Sequence, residues 1–204
     1  FVNPYLGKTL YGIGKAYDYL IEQSTTDVFM VFHADMIMAK DMDLLTYNHL
    51  GPKTAVCPTR IEPPLHPNLG EKIIQPFGLY PEEFTKDVFT DFVENNKDSD
   101  KVTDGIFAPW MMNKDEFLSI GGHDPRMHSC REDSDVFNRL ALAGFTFKQP
   151  WNAFVYHFTG RGAGQFSQSE TEIDKKRHAF WKKQMHNSTR EFVRKWKSNI
   201  THTN

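Results

Sequence analysis

The spacing of apolar residues changes from segment to segment, and each change predicts an element. In residues 8–22, Leu10, Ile13, Tyr17, Leu20 and Ile21 fall at helical spacing and predict an amphipathic helix, which Gly12 and Gly14 weaken. Ser24-Thr25-Thr26 ends it. Val28 to Phe32 is unbroken apolar sequence, as in a buried parallel strand, with His33-Ala34-Asp35 at its C-terminal end. Residues 54–58 predict a second strand. Seven prolines from Pro52 through Pro81 then predict a long irregular loop. A helix is expected over 81–96, opened by Pro81-Glu82-Glu83. A strand interrupted by Pro109 follows over 105–112, then a short helix over 113–118, capped by Asn113 and ended by Gly121-Gly122. Residues 132–143 carry the strongest helical pattern: an acidic start, Val136, Phe137, Leu140 and Ala141 on one face, and Gly144 as terminator. Phe145 to Phe147 and Ala153 to Tyr156 read as strands, the second followed by His157. Gly160 to Gly164 reads as a flexible loop. Residues 170–197 read as one or two basic amphipathic helices, with Ile173, Phe180, Trp181, Phe192, Val193 and Trp196 on the apolar side. This alternation predicts an α/β domain with a mixed sheet and its chemistry at strand ends.

Composition narrows the class. The 204 residues suit one domain or a large part of one, and 39% apolar content with 17 Phe and 4 Trp suits a globular chain. The net charge of −2 does not suggest a nucleic-acid partner. Nine Lys/Arg against four Asp/Glu in 170–204 give that segment +5 and leave −7 on the rest. An acidic body suits a cation site, and a basic tail suits an anionic surface or a phosphate. The expected division is therefore a catalytic domain over 1–169 and a basic helical segment over 170–204, with peripheral membrane contact through that segment as one option. Cys57 and Cys130 are expected as free thiols in a reducing, cytoplasmic setting. No run approaches the roughly 20 apolar residues of a membrane span.

Several residues can carry chemistry. Asp35, at a strand end, either caps the following turn or holds a hard divalent cation such as Mg²⁺ or Mn²⁺. His33 is a metal ligand, a ribose contact or a strand-end histidine with a backbone partner. Glu132-Asp133 opens a helix, where carboxylates are common for dipole reasons alone. In the functional reading Asp133 is a general base and Glu132 orients the group whose proton it takes. His157 is a structural histidine or a metal ligand. Arg161 is a loop arginine or a phosphate clamp. Trp110 stacks on a sugar ring or lies in the core.

These pieces together resemble the family 2 glycosyltransferases of the GT-A fold and their galactosyltransferase relatives. Gly7, Gly12, Ile13 and Ala16 resemble the helix before the Asp-x-Asp motif, and Val28 to Asp35 the strand that carries it. Residues 105–112, Phe117, Ile120-Gly121-Gly122 and Asp124 resemble the acceptor-side segment. Glu132-Asp133 with Arg139-Leu140 and Gly144 resembles the Glu-Asp helix, and Val155-Tyr156-His157 the strand ending in a metal-binding histidine. The resemblance implies a GT-A-like, Rossmann-related mixed sheet flanked by helices, and Mn²⁺ or Mg²⁺ as cofactor. It implies Asp35 and His157 as metal contacts, with His33 where the motif has its first Asp. It also implies Asp133 as base, Glu132, Asp124 and Trp110 toward the acceptor, and Arg161 and Lys8 toward a diphosphate.

The expected function is metal-dependent inverting transfer from a nucleoside-diphosphate sugar, usually uridine-linked in this family, to a saccharide or glycan hydroxyl. The family's first strands bind the nucleoside base. Little of that precedes Phe1, so a chain lacking those strands is expected. The rival expectations are a retaining transferase on the same scaffold, and a non-catalytic module that binds nucleotide or sugar.

Overall fold

A computed structural model describes residues 12–66, 70–159 and 172–198. The expected α/β class holds, as two mixed sheets flanked by helices. The first elements are helix α1 (Ile13–Gln23), strands β1 (Val28–Val31) and β2 (Met36–Met38), and helix α2 (Met42–Tyr47). Strands β3 (Thr54–Val56), β4 (Thr59–Glu62) and β5 (Lys72–Ile74) follow, and then a 3-10 turn at Pro81–Glu83 leads into α3 (Lys86–Asn96). Next come β6 (Val102–Thr103), β7 (Trp110–Asn113), α4 (Lys114–Ser119) and α5 (Glu132–Leu142). The described elements end with β8 (Thr146–Pro150), β9 (Phe154–His157) and α6 (Glu172–Trp196).

One sheet has the order β1-β7-β3-β8-β6 and the other β2-β9-β4-β5. The parallel pair β3·β8 of the first sheet continues as the parallel pair β4·β9 of the second. The break falls at Pro58 and next to Pro150, because proline brings no N–H to a ladder. Thr59 bridges the break: its N–H donates to the Ala153 carbonyl at 2.7 Å and its hydroxyl to the Pro150 carbonyl at 2.9 Å.

The expected irregular stretch from Pro52 to Pro81 therefore needs correction, since it contains β4 and β5. Its prolines punctuate strand ends and do not prevent strands. β1 also differs from the expected parallel strand: it is a sheet edge, paired antiparallel with β7 through Val28↔Asn113 and Val31↔Trp110. Its unbroken apolar run has another cause. Phe29 and Val31 enter one core with Trp110, Phe117, Val136 and Leu140. Met30 packs on a second core around Met42, Ile61, Phe89 and Tyr156. A strand between two cores is apolar on both faces whatever its pairing.

Helix α4 is capped as expected, Asn113 Oδ1 accepting from the Glu116 N–H at 3.1 Å. The glycines of α1 are close approaches. A Cβ on Gly12 would lie 2.5 Å from the His128 backbone, and one on Gly14 would lie 2.7 Å from the His123 side chain. The two cysteines are free. No helix among the described residues is long and apolar enough to cross a membrane. The last turns of α6 pack on the domain, with Phe192 and Ser188 fully buried, although Phe180 higher up is 44% exposed. This packing uses part of the apolar face that a membrane contact would need.

Candidate active site

The second sheet assembles four side chains from four strands or strand ends. β2 pairs with β9 so that Met36 faces His157, and the Phe158 N–H donates to the Asp35 carbonyl at 3.0 Å. This places Asp35 Oδ2 at 3.6 Å from His157 Nε2. On the other flank of β9, Glu62 of β4 reaches the same ring, its Oε1 lying 2.9 Å from Nδ1. Lys72 of β5 donates to Glu62 Oε2 at 2.6 Å, and Arg60 stands 3.5 Å from Oε1 with its guanidinium over the Phe107 ring. Glu62 and Lys72 are both buried. Burial disfavours the Glu62 carboxylate, but the hydrogen bond with His157 and the charges of Arg60 and Lys72 outweigh it and bring its pKa down to about 2. Burial likewise disfavours the charged His157 ring, and its contacts with Asp35 and Glu62 outweigh that and raise its pKa.

The second cluster stands at the N-terminus of α5. Trp110 on β7 donates from Nε1 to Asp133 Oδ1 at 3.0 Å. Glu132 is buried, and its Oε2 has no hydrogen-bond partner among the described residues. Desolvation and the adjacent Asp133 charge push its carboxyl up to about 8. The helix terminus does not keep it ionised: the N-cap is Arg131 in the left-handed region, with no capping side-chain hydrogen bond, and burial dominates.

Tyr17 on α1 is half-buried, with its ring centroid 6.0 Å from that of His123. Burial and the negative charges of Asp133, Glu132 and Asp35 raise its phenol well above the ordinary value.

A latch positions α1. Asp18, buried, accepts the His123 backbone N–H at 3.0 Å and meets His123 Nδ1 at 2.6 Å. Gly122 lies at φ 64°, and a Cβ there would stand 3.0 Å from the Asp18 carboxylate. From α5, Arg139 donates to the Ile120 and Gly122 carbonyls at 2.7 and 2.5 Å and to Asp135 Oδ2 at 2.9 Å. Lys195 of α6 bridges Asp124 and Asp135 at 2.8 and 2.7 Å, and Trp196 Nε1 donates to Asp135 at 2.9 Å.

Several expectations change against this geometry. Trp110 has no exposed surface, so its ring is not a stacking platform for a sugar; its indole N–H faces Asp133 instead. Asp124 is bound by Arg126 at 2.6 Å as well as by Lys195, which makes it a tie between loop and helix, not an open acceptor contact. His33 does not join Asp35 and His157 in a three-ligand cluster, and among the described residues no group of three His, Cys, Asp or Glu side chains is placed to hold a metal ion. Its Nε2 is buried without a hydrogen-bond partner there. Lys8, Arg161, Leu10 and the side chain of Ile173 lie outside the described residues. Sequence reasoning missed Glu62 and Lys72 altogether. The alternation Thr59-Arg60-Ile61-Glu62 between prolines was the available signal for Glu62.

Whether a divalent cation fits can be judged from the donors. Asp35 offers one carboxylate oxygen and His157 one imidazole nitrogen, with Glu62 behind the ring as the outer carboxylate common at metal-binding histidines. Such a pair fits half a shell for a cation that takes its other ligands from phosphate and water. It does not make a closed protein cage.

No protein-family profile matches the chain, and no curated protein matches it. Among solved structures it is similar to the crystal structure of GalNAc-T7 with UDP, GalNAc and Mn²⁺, at 12% identity and a TM-score of 0.48, over 90% of this chain and 44% of that one. The chain spans less than half the length of that structure's chain. The two mixed sheets flanked by helices are consistent with the GT-A-like fold expected from the sequence.

Proposed function

We propose that this chain moves a sugar from a nucleoside-diphosphate sugar, uridine-linked in the first instance, to a hydroxyl of a saccharide acceptor with inversion at the anomeric carbon. What supports the reading is two built contacts, Asp35 with His157 at 3.6 Å and the Trp110 indole with Asp133 at 3.0 Å. Asp133, oriented by the Trp110 indole through Oδ1, takes the acceptor proton on its other oxygen. Glu132, held protonated beside it, keeps a second negative charge away from that base. Asp35 and His157 would hold a divalent cation that neutralises the departing diphosphate. Lys8 and Arg161 are the diphosphate contacts in this reading. In this reading residues 1–169 are the catalytic unit and 170–204 a separate basic segment, whose helix α6 braces that unit.

The test is a turnover assay with uridine-diphosphate sugars and Mn²⁺, with the product anomer read by proton NMR. Asp133→Asn should retain donor binding in calorimetry and lose transfer by orders of magnitude. Normal transfer by that variant refutes the base assignment, and donor binding by the unaltered chain without turnover indicates a binding module.

A further inference from the structure

We propose that Glu62, held in place by Lys72, is a positioning residue that fixes the tautomer and ring orientation of His157, so that Nε2 is presented toward Asp35. The inference deepens the transferase reading and rests on it for its purpose, though the positioning itself can be measured without it.

Strand register makes the arrangement. Side chains alternate between faces, so Arg60 and Glu62 share one face of β4. Lys72 pairs in register with Arg60, and Tyr156 with Ile61, which puts Lys72 and His157 on that same face. The two oxygens of Glu62 then have separate tasks. Oε2 accepts from Lys72 at 2.6 Å, and Oε1 lies 2.9 Å from His157 Nδ1. A neutral imidazole carries one N–H. With that N–H on Nδ1 toward Glu62, the Nε2 lone pair is left facing Asp35, 3.6 Å away. Burial adds a second argument. A Glu–Lys pair inside a sheet costs desolvation on both partners, and apolar side chains of similar volume serve stability as well or better. Glu62 and Lys72 are 3% and 7% exposed, so solvation does not explain their charge. Lys72 keeps Glu62 ionised, and Glu62 as a full carboxylate is the stronger acceptor for the ring.

The experiment uses the full chain, free of metal, with nitrogen-15 NMR of the His157 ring followed upward in pH until the ring shifts show it neutral. The unaltered protein should show the Nδ1–H tautomer. Two folded variants then separate positioning from packing. Glu62→Met with Lys72→Met removes charge and acceptor while keeping volume. Glu62→Gln with Lys72→Met restores an acceptor oxygen. The first should lose the tautomer preference and bind Mn²⁺ alone about 10- to 100-fold more weakly by calorimetry, and the second should keep most of both. An Nε2–H tautomer in the unaltered protein, or an unchanged tautomer in the Met pair, overturns the proposal. If the Met pair does not fold, the tautomer of the unaltered protein still decides it. If the unaltered chain binds no Mn²⁺ while the tautomer behaves as described, the metal-dependent reading fails and the positioning stands.

Discussion

The indole of Trp110 and the carboxylate of Asp133 are joined by a 3.0 Å hydrogen bond from a ring with no solvent exposure. Around that ring, Phe29, Phe117 and Phe137 stand with centroids 5.4, 5.7 and 5.7 Å away. The donor therefore cannot swing away, and its orientation passes to Asp133. Trp110→Phe keeps most of the packing and removes the N–H. A hydrogen bond to a charged acceptor contributes about 1.5–3 kcal/mol, so kcat should fall roughly ten- to a hundredfold. KM for the donor should stay near its original value, since the indole does not face the donor in the proposed site. Steady-state kinetics separate the two, and an unchanged kcat would remove Trp110 from the mechanism.

Glu132 gives a stability signature with a definite sign. Its native pKa is raised to about 8 from the ordinary 4.5, so the native state holds this proton more tightly than the unfolded chain does. Stability from this group is complete below about 4.5, declines as pH rises toward 8, and is flat beyond that. Glu132→Gln removes the decline. The variant's advantage in chemical denaturation should be small at acid pH and grow to several kcal/mol by alkaline pH, because each tenfold difference in proton affinity between the folded and unfolded chain is worth about 1.4 kcal/mol. A difference that does not change with pH would show that the carboxyl is not held protonated by burial.

Asp18 behaves oppositely. Burial works against its charge, but the side-chain and backbone hydrogen bonds with His123 outweigh it, and its pKa is lowered from 3.8. The stability it adds is present above its ordinary value and is lost as pH falls below it. Urea midpoints measured from neutral pH downward should drop more steeply for the unaltered chain than for Asp18→Asn, which is less stable at neutral pH and keeps only the acid sensitivity of other carboxylates such as Glu62.

How much of this was legible in sequence differs between elements for physical reasons. α5 was readable because its start, face and terminator all agree, from Glu132 through Leu140 to Gly144. Asp35 and His157 were singled out as strand-end residues, and the structure brings them to 3.6 Å, while His33 does not join them in a three-ligand cluster. The edge position of β1 was not, because Phe29 and Met30 are apolar for different cores, and hydrophobicity does not say which neighbour a strand pairs with. β4 was hidden by Pro58 and Pro63, which bound the strand without entering it. Glu62 was lost with β4. Trp110 was read by residue type, and Asp124 from the family resemblance, as acceptor contacts. Only the packed structure reveals that one is enclosed by aromatic rings and the other tied to Arg126 and Lys195.

The C-terminal helix braces the segment that leads into Glu132. Phe192 is fully buried, and the Arg131 guanidinium lies 5.3 Å over its ring, directly before Glu132. Phe192→Ala should cost about 3–5 kcal/mol through lost burial and the cavity left behind. Phe180→Ala, from a 44% exposed position on the same helix, should cost far less. Equal losses at the two sites in thermal unfolding would mean that α6 does not pack as described.

The contacts of His157 predict the pH dependence of metal binding. A ligating imidazole must be neutral, so a cation competes with the proton for Nε2. Asp35 and Glu62 hold the His157 pKa above its ordinary 6.5, against the opposing effect of burial. Mn²⁺ affinity should therefore rise with pH, close to tenfold for each pH step of one while the ring is still protonated, and level off only above pH 6.5. Asp35→Asn removes one ligand and one source of the raised pKa together. It should weaken binding at every pH and move the levelling-off point lower. Calorimetry of Mn²⁺ with the unaltered chain and with Asp35→Asn, run upward from about pH 5.5 until the affinity of each levels off, makes the comparison. If the levelling-off point is the same in both proteins, Asp35 does not act on the ring, and the half-shell assigned to these two residues is wrong.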